Sequence, residues 1–120
     1  MKVNIAPRRR NAPRIAEKSA PGFLAWLRKR ECAFADHGSC EGKIQAMHLD
    51  FAGGKGTGTK VADRYAVPAC AAHHRQQHLV GWVTFISLKD TTKEALLGAA
   101  DILWRAWPGR IAWERKLDAS

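Results

Sequence analysis

The cysteines place the strongest constraint on how this 120-residue chain can fold. There are three, Cys32, Cys40 and Cys70, and the last of them begins the sequence Cys70-Ala-Ala-His73. An odd number of cysteines leaves one thiol unpaired in any set of disulfides, and disulfides are rare in the reducing compartment expected for this chain. Inert buried thiols are the other interpretation, but Cys32 and Cys40 lie in a polar, glycine-containing segment. Ligation of a metal ion explains the pattern better.

The spacing of these residues indicates zinc. Cys70 and His73 are separated by two residues at the start of a predicted helix, which lets both side chains turn toward one ion. Cys32 and Cys40 enclose a turn at residues 37–39 that can bring their sulfur atoms together. The predicted ligands of a closed structural zinc site are Cys32, Cys40, Cys70 and His73.

The histidine ligand has competitors. His74 also lies one helical turn from Cys70, so it could replace His73. His37, in the turn between the other two cysteines, is a weaker alternative. In each case a closed site would add folding free energy directly, from which a chain with a small core benefits.

The pattern of apolar residues and of helix and turn signals predicts a small α+β fold. The predicted elements are a short amphipathic helix from Pro21, a strand at 43–49, a glycine-rich loop, a strand at 64–67 stopped by Pro68, a helix at 71–79 ending before Gly81, a strand or extended segment at 82–86, and a helix from Thr91 or Thr92 to about Ala106. Three tryptophans near the C-terminus are predicted to belong to the core: Trp104, Trp107 and Trp113.

The positive charge is concentrated at one end of the chain. Residues 1–30 carry +8 of the formal net charge of +9. Residues 1–20 are broken by two prolines and show no period, so we predict a basic flexible arm there and one domain over 21–120. A basic arm on a nearly neutral domain indicates a polyanionic partner, and we expect DNA. The candidate phosphate-binding residues of the arm are Arg8, Arg9 and Arg10.

Two lysines of the glycine-rich loop, Lys55 and Lys60, are further candidates for contacts to the DNA backbone, with plain solvent exposure as the alternative. The N-terminal segment lacks the apolar stretch of a secretory signal, and no window is long and apolar enough for a membrane span. We therefore expect a cytoplasmic protein without a membrane partner.

All five histidines lie between residues 37 and 78. His74 and His78 are four positions apart on a predicted helix, so their rings project from one face and suit a shared cation. His48 lies near the end of the first predicted strand. A histidine has a pKa near 6.5, so it can take a proton from water at neutral pH, while a divalent cation neutralises a scissile phosphate. Strand, loop, strand and histidine-bearing helix is the order of a ββα-metal site.

The order of these motifs resembles that of the Ref-type prophage nucleases, a branch of the HNH endonucleases. The likeness covers roughly residues 30–82 and is carried by Cys-x7-Cys, Ala-x-His48, Gly-x-Gly56-Thr-Gly58-x-Lys60, Asp63 and Pro68-x-Cys70-x2-His73-His74. It implies a zinc-stabilised ββα-metal core with flanking helices and Mg²⁺-dependent cleavage of DNA. Some members of this family are linked to recombination, so the resemblance also implies a recombination protein as a further partner.

By position, the resemblance implies that His48 is the general base and that Asp63 orients it. His74 and His78 would hold the catalytic cation, Mg²⁺ or Mn²⁺. One departure stands out. Many HNH enzymes carry another metal ligand directly before the base, where this chain has Met47, a poor ligand for Mg²⁺. Either the two histidines suffice with water and phosphate, or Asp50 or Asp63 contributes, or the site is weak.

A zinc-binding DNA module without catalytic activity, built on the same fold, is the main alternative function. His48 distinguishes the two hypotheses, because a module that only binds DNA has no need of a base opposite His74 and His78.

Overall fold

A two-stranded antiparallel sheet lies at the centre of the computed structural model, which describes residues 16–53 and 61–119. Strand β1 (Ile44–His48) pairs with strand β2 (Ala66–Cys70), with Ile44 opposite Cys70 and His48 opposite Ala66. The four α-helices of the described residues are α1 (Pro21–Leu27), α2 (Ala71–Leu88), α3 (Lys93–Ala106) and α4 (Arg110–Ala119). The predicted small α+β class is confirmed.

The sheet lies between two groups of buried side chains. Successive strand residues point to opposite faces. Met47 and Val67 are therefore on one face, where they pack with Phe85 of α2. Ala66 is on the other face, where it packs with Trp104 of α3. Helices therefore cover both faces of the two strands that the structure describes.

The second strand differs from its prediction. We expected it to stop at Pro68, but it begins at Ala66 and continues to Cys70. The carbonyl oxygen of Pro68 accepts a hydrogen bond from the N–H of Ala33 at 2.8 Å, on the side of β2 away from β1. The backbone N and O atoms of one strand residue point to the same side, so the missing N–H of Pro68 removes no bond to β1.

Helix α2 is longer than predicted. The chain leaves helical geometry at Gly81, where φ is 82° and ψ is 165°, but it resumes the helix through Leu88. This positive φ is a conformation that glycine adopts at little cost. The prediction of a strand or extended segment at 82–86 is wrong. The reason is packing: Trp82 and Phe85 are three positions apart, which places both rings on one face of a helix, and Phe85 is fully buried.

The remaining helix boundaries follow from local signals. Pro21 begins α1, as predicted. Thr92 caps α3 by accepting a hydrogen bond from the N–H of Ala95 at 3.0 Å, and the helix ends at Ala106, two residues before Pro108. Trp104 is 3% exposed and lies edge-on to Phe23, which confirms its predicted place in the core. The fourth helix, α4, was not predicted.

The segment at residues 16–20, which we assigned to the arm, packs on the domain. Ala20 is 2% exposed, and the carbonyl oxygen of Ser19 accepts a hydrogen bond from Nε1 of Trp113 at 2.8 Å. The predicted DNA-binding residues Arg8, Arg9, Arg10, Lys55 and Lys60 lie outside the described residues. In the part of the chain that the structure describes, no helix has both the length and the apolar character needed to cross a membrane.

Candidate functional site

Four side chains predicted to bind zinc come together at the junction of β2 and α2. Cys70 is the last residue of β2 and the N-cap of α2, and His73 lies in the first turn of that helix. Cys32 and Cys40 approach from the loop that precedes β1. The ligand atoms of all four lie within 4.8 Å of one another, and the described residues contain no other such group of three or more histidine, cysteine or acidic side chains.

The distances fit one tetrahedral ion. The Nδ1 atom of His73 lies 3.5 Å from Sγ of Cys32, 3.7 Å from Sγ of Cys40 and 3.3 Å from Sγ of Cys70. With the usual Zn–S and Zn–N bond lengths, tetrahedral geometry separates a sulfur and a nitrogen ligand by about 3.6 Å. This cluster, called the Cys3His site below, could therefore hold a metal ion such as zinc.

Backbone N–H groups donate hydrogen bonds to two of the three sulfur atoms, those of Cys32 and Cys70. Sγ of Cys32 accepts hydrogen bonds from the N–H groups of Phe34 at 3.4 Å and Cys70 at 3.3 Å, and Sγ of Cys70 accepts from the N–H of His73 at 3.4 Å. Such bonds stabilise a negatively charged sulfur more than a neutral thiol. At these two cysteines the backbone is thus arranged for thiolates, the form of cysteine that binds metal.

A glycine lets the loop reach the start of α2. Gly42 has φ of 87°, and a Cβ placed there would lie 2.6 Å from Cβ of Ala71. Close by, the carbonyl oxygen of Glu41 accepts the N–H of Ala72 at 3.0 Å. Any larger residue at position 42 would push the loop, and with it Cys40, away from the other three ligands.

The ligands of the Cys3His site differ in their readiness to ionise. Cys40 is exposed as a residue, but its sulfur lies against the others. Desolvation, followed by hydrogen bonds and charge repulsion with Cys70 and Cys32, raises its pKa to about 12. Burial opposes ionisation of Cys70, but hydrogen bonds with the backbone at His73 and Glu41, and then with the side chains of Cys40 and Cys32, together outweigh it and lower its pKa. Burial, and then the charge of Lys89, lower the pKa of His73, which favours the neutral, metal-binding ring.

Neither alternative histidine belongs to this site. The ring of His74 is turned away from the three sulfurs and contacts Gln45 and His78. His37 is exposed and is not among the four clustered side chains, although its charge lowers the pKa of His73. The helical register explains the difference, since positions 73 and 74 lie about 100° apart around α2.

The structure brings His48 and Asp63 into contact. Nε2 of His48, at the end of β1, lies 3.0 Å from Oδ1 of Asp63, and their side chains are 30% and 15% exposed. The second oxygen, Oδ2, accepts a hydrogen bond from the N–H of Ala20 at 2.8 Å. The backbone N–H of Asp63 donates to the carbonyl oxygen of Lys18 at 2.9 Å. The carboxylate is therefore held in place from two sides.

His74 and His78 lie side by side on α2. Their Nε2 atoms are 3.2 Å apart, and their ring centroids are 4.8 Å apart. Nδ1 of His74 lies 2.7 Å from Oε1 of Gln45 on β1. Burial, and then the charge of His78, lower the pKa of His74, with a further contribution from His48, while the charge of Asp50 acts in the opposite direction. The charges of these side chains thus act on one another.

The structure shows the surroundings of the side chains that bear on a third protein ligand beside the two histidines. Met47 is fully buried in the core, and both oxygens of Asp63 have partners in His48 and Ala20. Asp50, the other carboxylate suggested by the sequence, is exposed, follows β1 closely and carries a charge that acts on His74.

Two contacts of the site were not predicted. Gln45 is an exposed polar residue of a strand, and such residues are too common for the sequence to single one out. The Ala20 N–H is a backbone group, which carries no sequence signal. A pattern of local residues cannot indicate either contact, because each joins segments far apart in the chain.

Comparison with models of protein families, with curated protein sequences and with solved structures found no match.

Proposed function

We propose that this protein is a metal-dependent DNA endonuclease of the HNH type, with a ββα-metal core and its active site between His48 and the His74–His78 pair. The observation that carries the proposal is the contact of His48 Nε2 with Asp63 Oδ1 at 3.0 Å. A carboxylate only accepts hydrogen bonds, so this contact places a proton on Nε2 and leaves Nδ1 as the nitrogen that can take up another.

In the proposed reaction, Nδ1 of His48 takes a proton from a water molecule as its oxygen attacks the phosphorus of a DNA phosphodiester. The bond from phosphorus to the leaving oxygen breaks, and that oxygen gains a proton from solvent. Asp63 keeps the imidazole ring in the orientation and tautomer that this transfer requires, and it favours the imidazolium that results.

His74 and His78 are the side chains that would hold a divalent cation, Mg²⁺ or Mn²⁺. When bound, the cation would neutralise charge on the phosphate and stabilise the leaving oxygen. Imidazole nitrogens suit Mn²⁺ better than Mg²⁺, which prefers oxygen ligands, so we propose that Mn²⁺ supports the higher activity. Asp50 could supply an oxygen ligand.

The Cys3His site has a separate, structural part in the proposal. All four of its donors are protein side chains, which is typical of closed zinc sites. It ties the loop before β1 to the start of α2, and α2 carries His74 and His78. Zinc would therefore hold the helix against the sheet that bears His48.

DNA is the proposed substrate because residues 1–30 hold +8 of the net charge, which suits a phosphate backbone. The described part of this region contacts Asp63. The carbonyl oxygen of Lys18 accepts a hydrogen bond from the N–H of Asp63, and the N–H of Ala20 donates to the Asp63 carboxylate. A phage or prophage origin, a recombination protein as partner and a cytoplasmic location are proposed on the resemblance and the composition alone.

The test is cleavage of supercoiled plasmid by the zinc-loaded full chain, first dialysed free of Mg²⁺ and Mn²⁺ and then with either ion added. We expect nicking that needs the added cation and is lost in His48→Ala. His37→Ala is the matched control, because it removes an exposed histidine outside both sites and should cleave at the wild-type rate. Zinc content and circular dichroism of each variant establish that it is folded.

Two results would overturn the proposal. Wild-type cleavage by His48→Ala would remove the base. Absence of cleavage by a zinc-loaded wild-type chain that still binds DNA would favour the non-catalytic DNA-binding module instead.

A further inference from the structure

Gln45 makes the shortest polar contact of the histidine pair. Its Oε1 lies 2.7 Å from Nδ1 of His74, although 29 positions of chain separate the two residues. Gln45 is on β1, on the same face as Met47, and this is the face over which α2 packs. The contact therefore joins the sheet to the helix directly beside the proposed cation site.

This contact decides which nitrogen of His74 carries a proton. A carbonyl oxygen accepts hydrogen bonds and cannot donate them, so Nδ1 of His74 must be the donor. A neutral imidazole has one N–H and one lone pair. With the proton on Nδ1, the lone pair is on Nε2, the atom that faces His78.

We infer that Gln45 is a positioning residue of the cation site, which fixes His74 in the tautomer and orientation that present Nε2 to a divalent cation shared with His78. The inference rests on the proposed function in so far as it places a cation there. It adds a residue that does not touch the cation and acts only through His74.

The distance between the two Nε2 atoms supports this arrangement. Two imidazole nitrogens bound to one ion at about 2.1 Å are separated by about 3.0 Å at a right angle and by about 3.4 Å at the tetrahedral angle. The separation of 3.2 Å lies between these values. Little movement of either ring is needed for both to bind one ion.

The hydrogen bond lies at an exposed position, where water competes with it. Residues that orient a metal-binding histidine typically change metal affinity about 10- to 100-fold when they are removed. For an exposed contact we expect the lower end, about tenfold. The rate of cleavage at saturating cation should change much less, because Gln45 does not contact the reacting atoms.

The experiment compares Gln45→Leu with wild type in the zinc-loaded full chain. Long-range ¹H–¹⁵N correlation spectra, recorded about two pH units above the ordinary histidine pKa, distinguish the N–H nitrogen of His74 from the lone-pair nitrogen. We expect the Nδ1–H form in wild type and a shift toward the Nε2–H form in Gln45→Leu. Titration with Mn²⁺, followed by broadening of the His74 and His78 ring signals, should show about tenfold weaker binding in the variant.

Two further variants separate positioning from general effects on the surface. Gln45→Glu keeps an acceptor oxygen at the same distance and should retain the Nδ1–H tautomer and at least the wild-type affinity for Mn²⁺. Gln76→Leu makes the same change on α2, at a residue between the two histidines in sequence but off their face, and should match wild type in both measurements.

The failure of each proposal has its own signature. If wild type binds Mn²⁺ at His74 and His78 but Gln45→Leu keeps both the tautomer and the affinity, Gln45 has no positioning role and this inference is overturned. If the ring signals of His74 and His78 in wild type do not respond to Mn²⁺ at all, the proposed cation site is overturned, and with it the positioning role of Gln45.

Discussion

His48 and Asp63 are joined by a 3.0 Å contact between Nε2 and Oδ1, across fifteen positions of chain that include the glycine-rich segment. The second carboxylate oxygen is bound to the N–H of Ala20. One aspartate thus connects the end of the first strand to the segment that precedes the first helix. If His48 is a base, this aspartate is the group that orients it.

Variants of His48 and Asp63 should fail to different degrees. His48→Ala removes proton transfer and should slow plasmid cleavage about 10²- to 10⁴-fold, with zinc content unchanged. Asp63→Ala keeps the base but removes the group that orients it, so its cleavage rate should lie between those of His48→Ala and wild type. It also leaves the N–H of Ala20 unpaired, which should cost about 1–3 kcal/mol of stability by thermal unfolding. A wild-type cleavage rate in Asp63→Ala would contradict the orienting role.

Zinc content should depend on the four residues of the Cys3His site. Purified protein is expected to hold about one zinc per chain, measured by atomic emission. Cys32→Ser should lower both zinc content and the melting temperature, because metal binding contributes to folding free energy. His74→Ala and His37→Ala are matched controls that should keep the zinc. Stoichiometric zinc in a Cys32/Cys40 double variant would refute this ligand set.

Zinc affinity should rise with pH. Without metal the pKa of Cys40 is raised to about 12, so its proton is present at neutral pH and must leave when zinc binds. Each proton released makes apparent affinity rise about tenfold per pH unit, so affinity falls as pH falls. Competition with a chromophoric chelator across neutral pH measures the slope. Cys40→Ser should lower that slope by about one proton, and an unchanged slope would mean that Cys40 does not give up a proton when zinc binds.

Removing the N-terminal residues should weaken DNA binding in a salt-dependent way. Residues 2–15 contain five lysines and arginines, and the log–log salt slope should fall by about 0.9 for every phosphate that is no longer neutralised. Deleting 2–15 spares the contacts of Lys18 and Ala20 with Asp63, so the domain should melt as in wild type. Deleting 2–18 should lower stability as well. An unchanged salt slope after the shorter deletion would show that these residues do not contact DNA.

The sequence by itself determined the features that depend on short spacings. Cys70 and His73 meet at one site, and His74 and His78 lie side by side, because helical geometry relates residues three and four positions apart wherever the helix lies. The cap at Thr92 and the start of α1 at Pro21 are equally local. These predictions needed no knowledge of the rest of the fold.

Only the tertiary structure decided the contacts between distant segments. The pairing of His48 with Asp63, and of His74 with Gln45, depends on how β1 is placed against its neighbours, which no local propensity encodes. The same holds for the helix at 82–88, where burial of Phe85 outweighed a β-branched and aromatic sequence that favours a strand. Burial of apolar surface is a property of the whole packed chain, and it overrides preferences that act within a few residues.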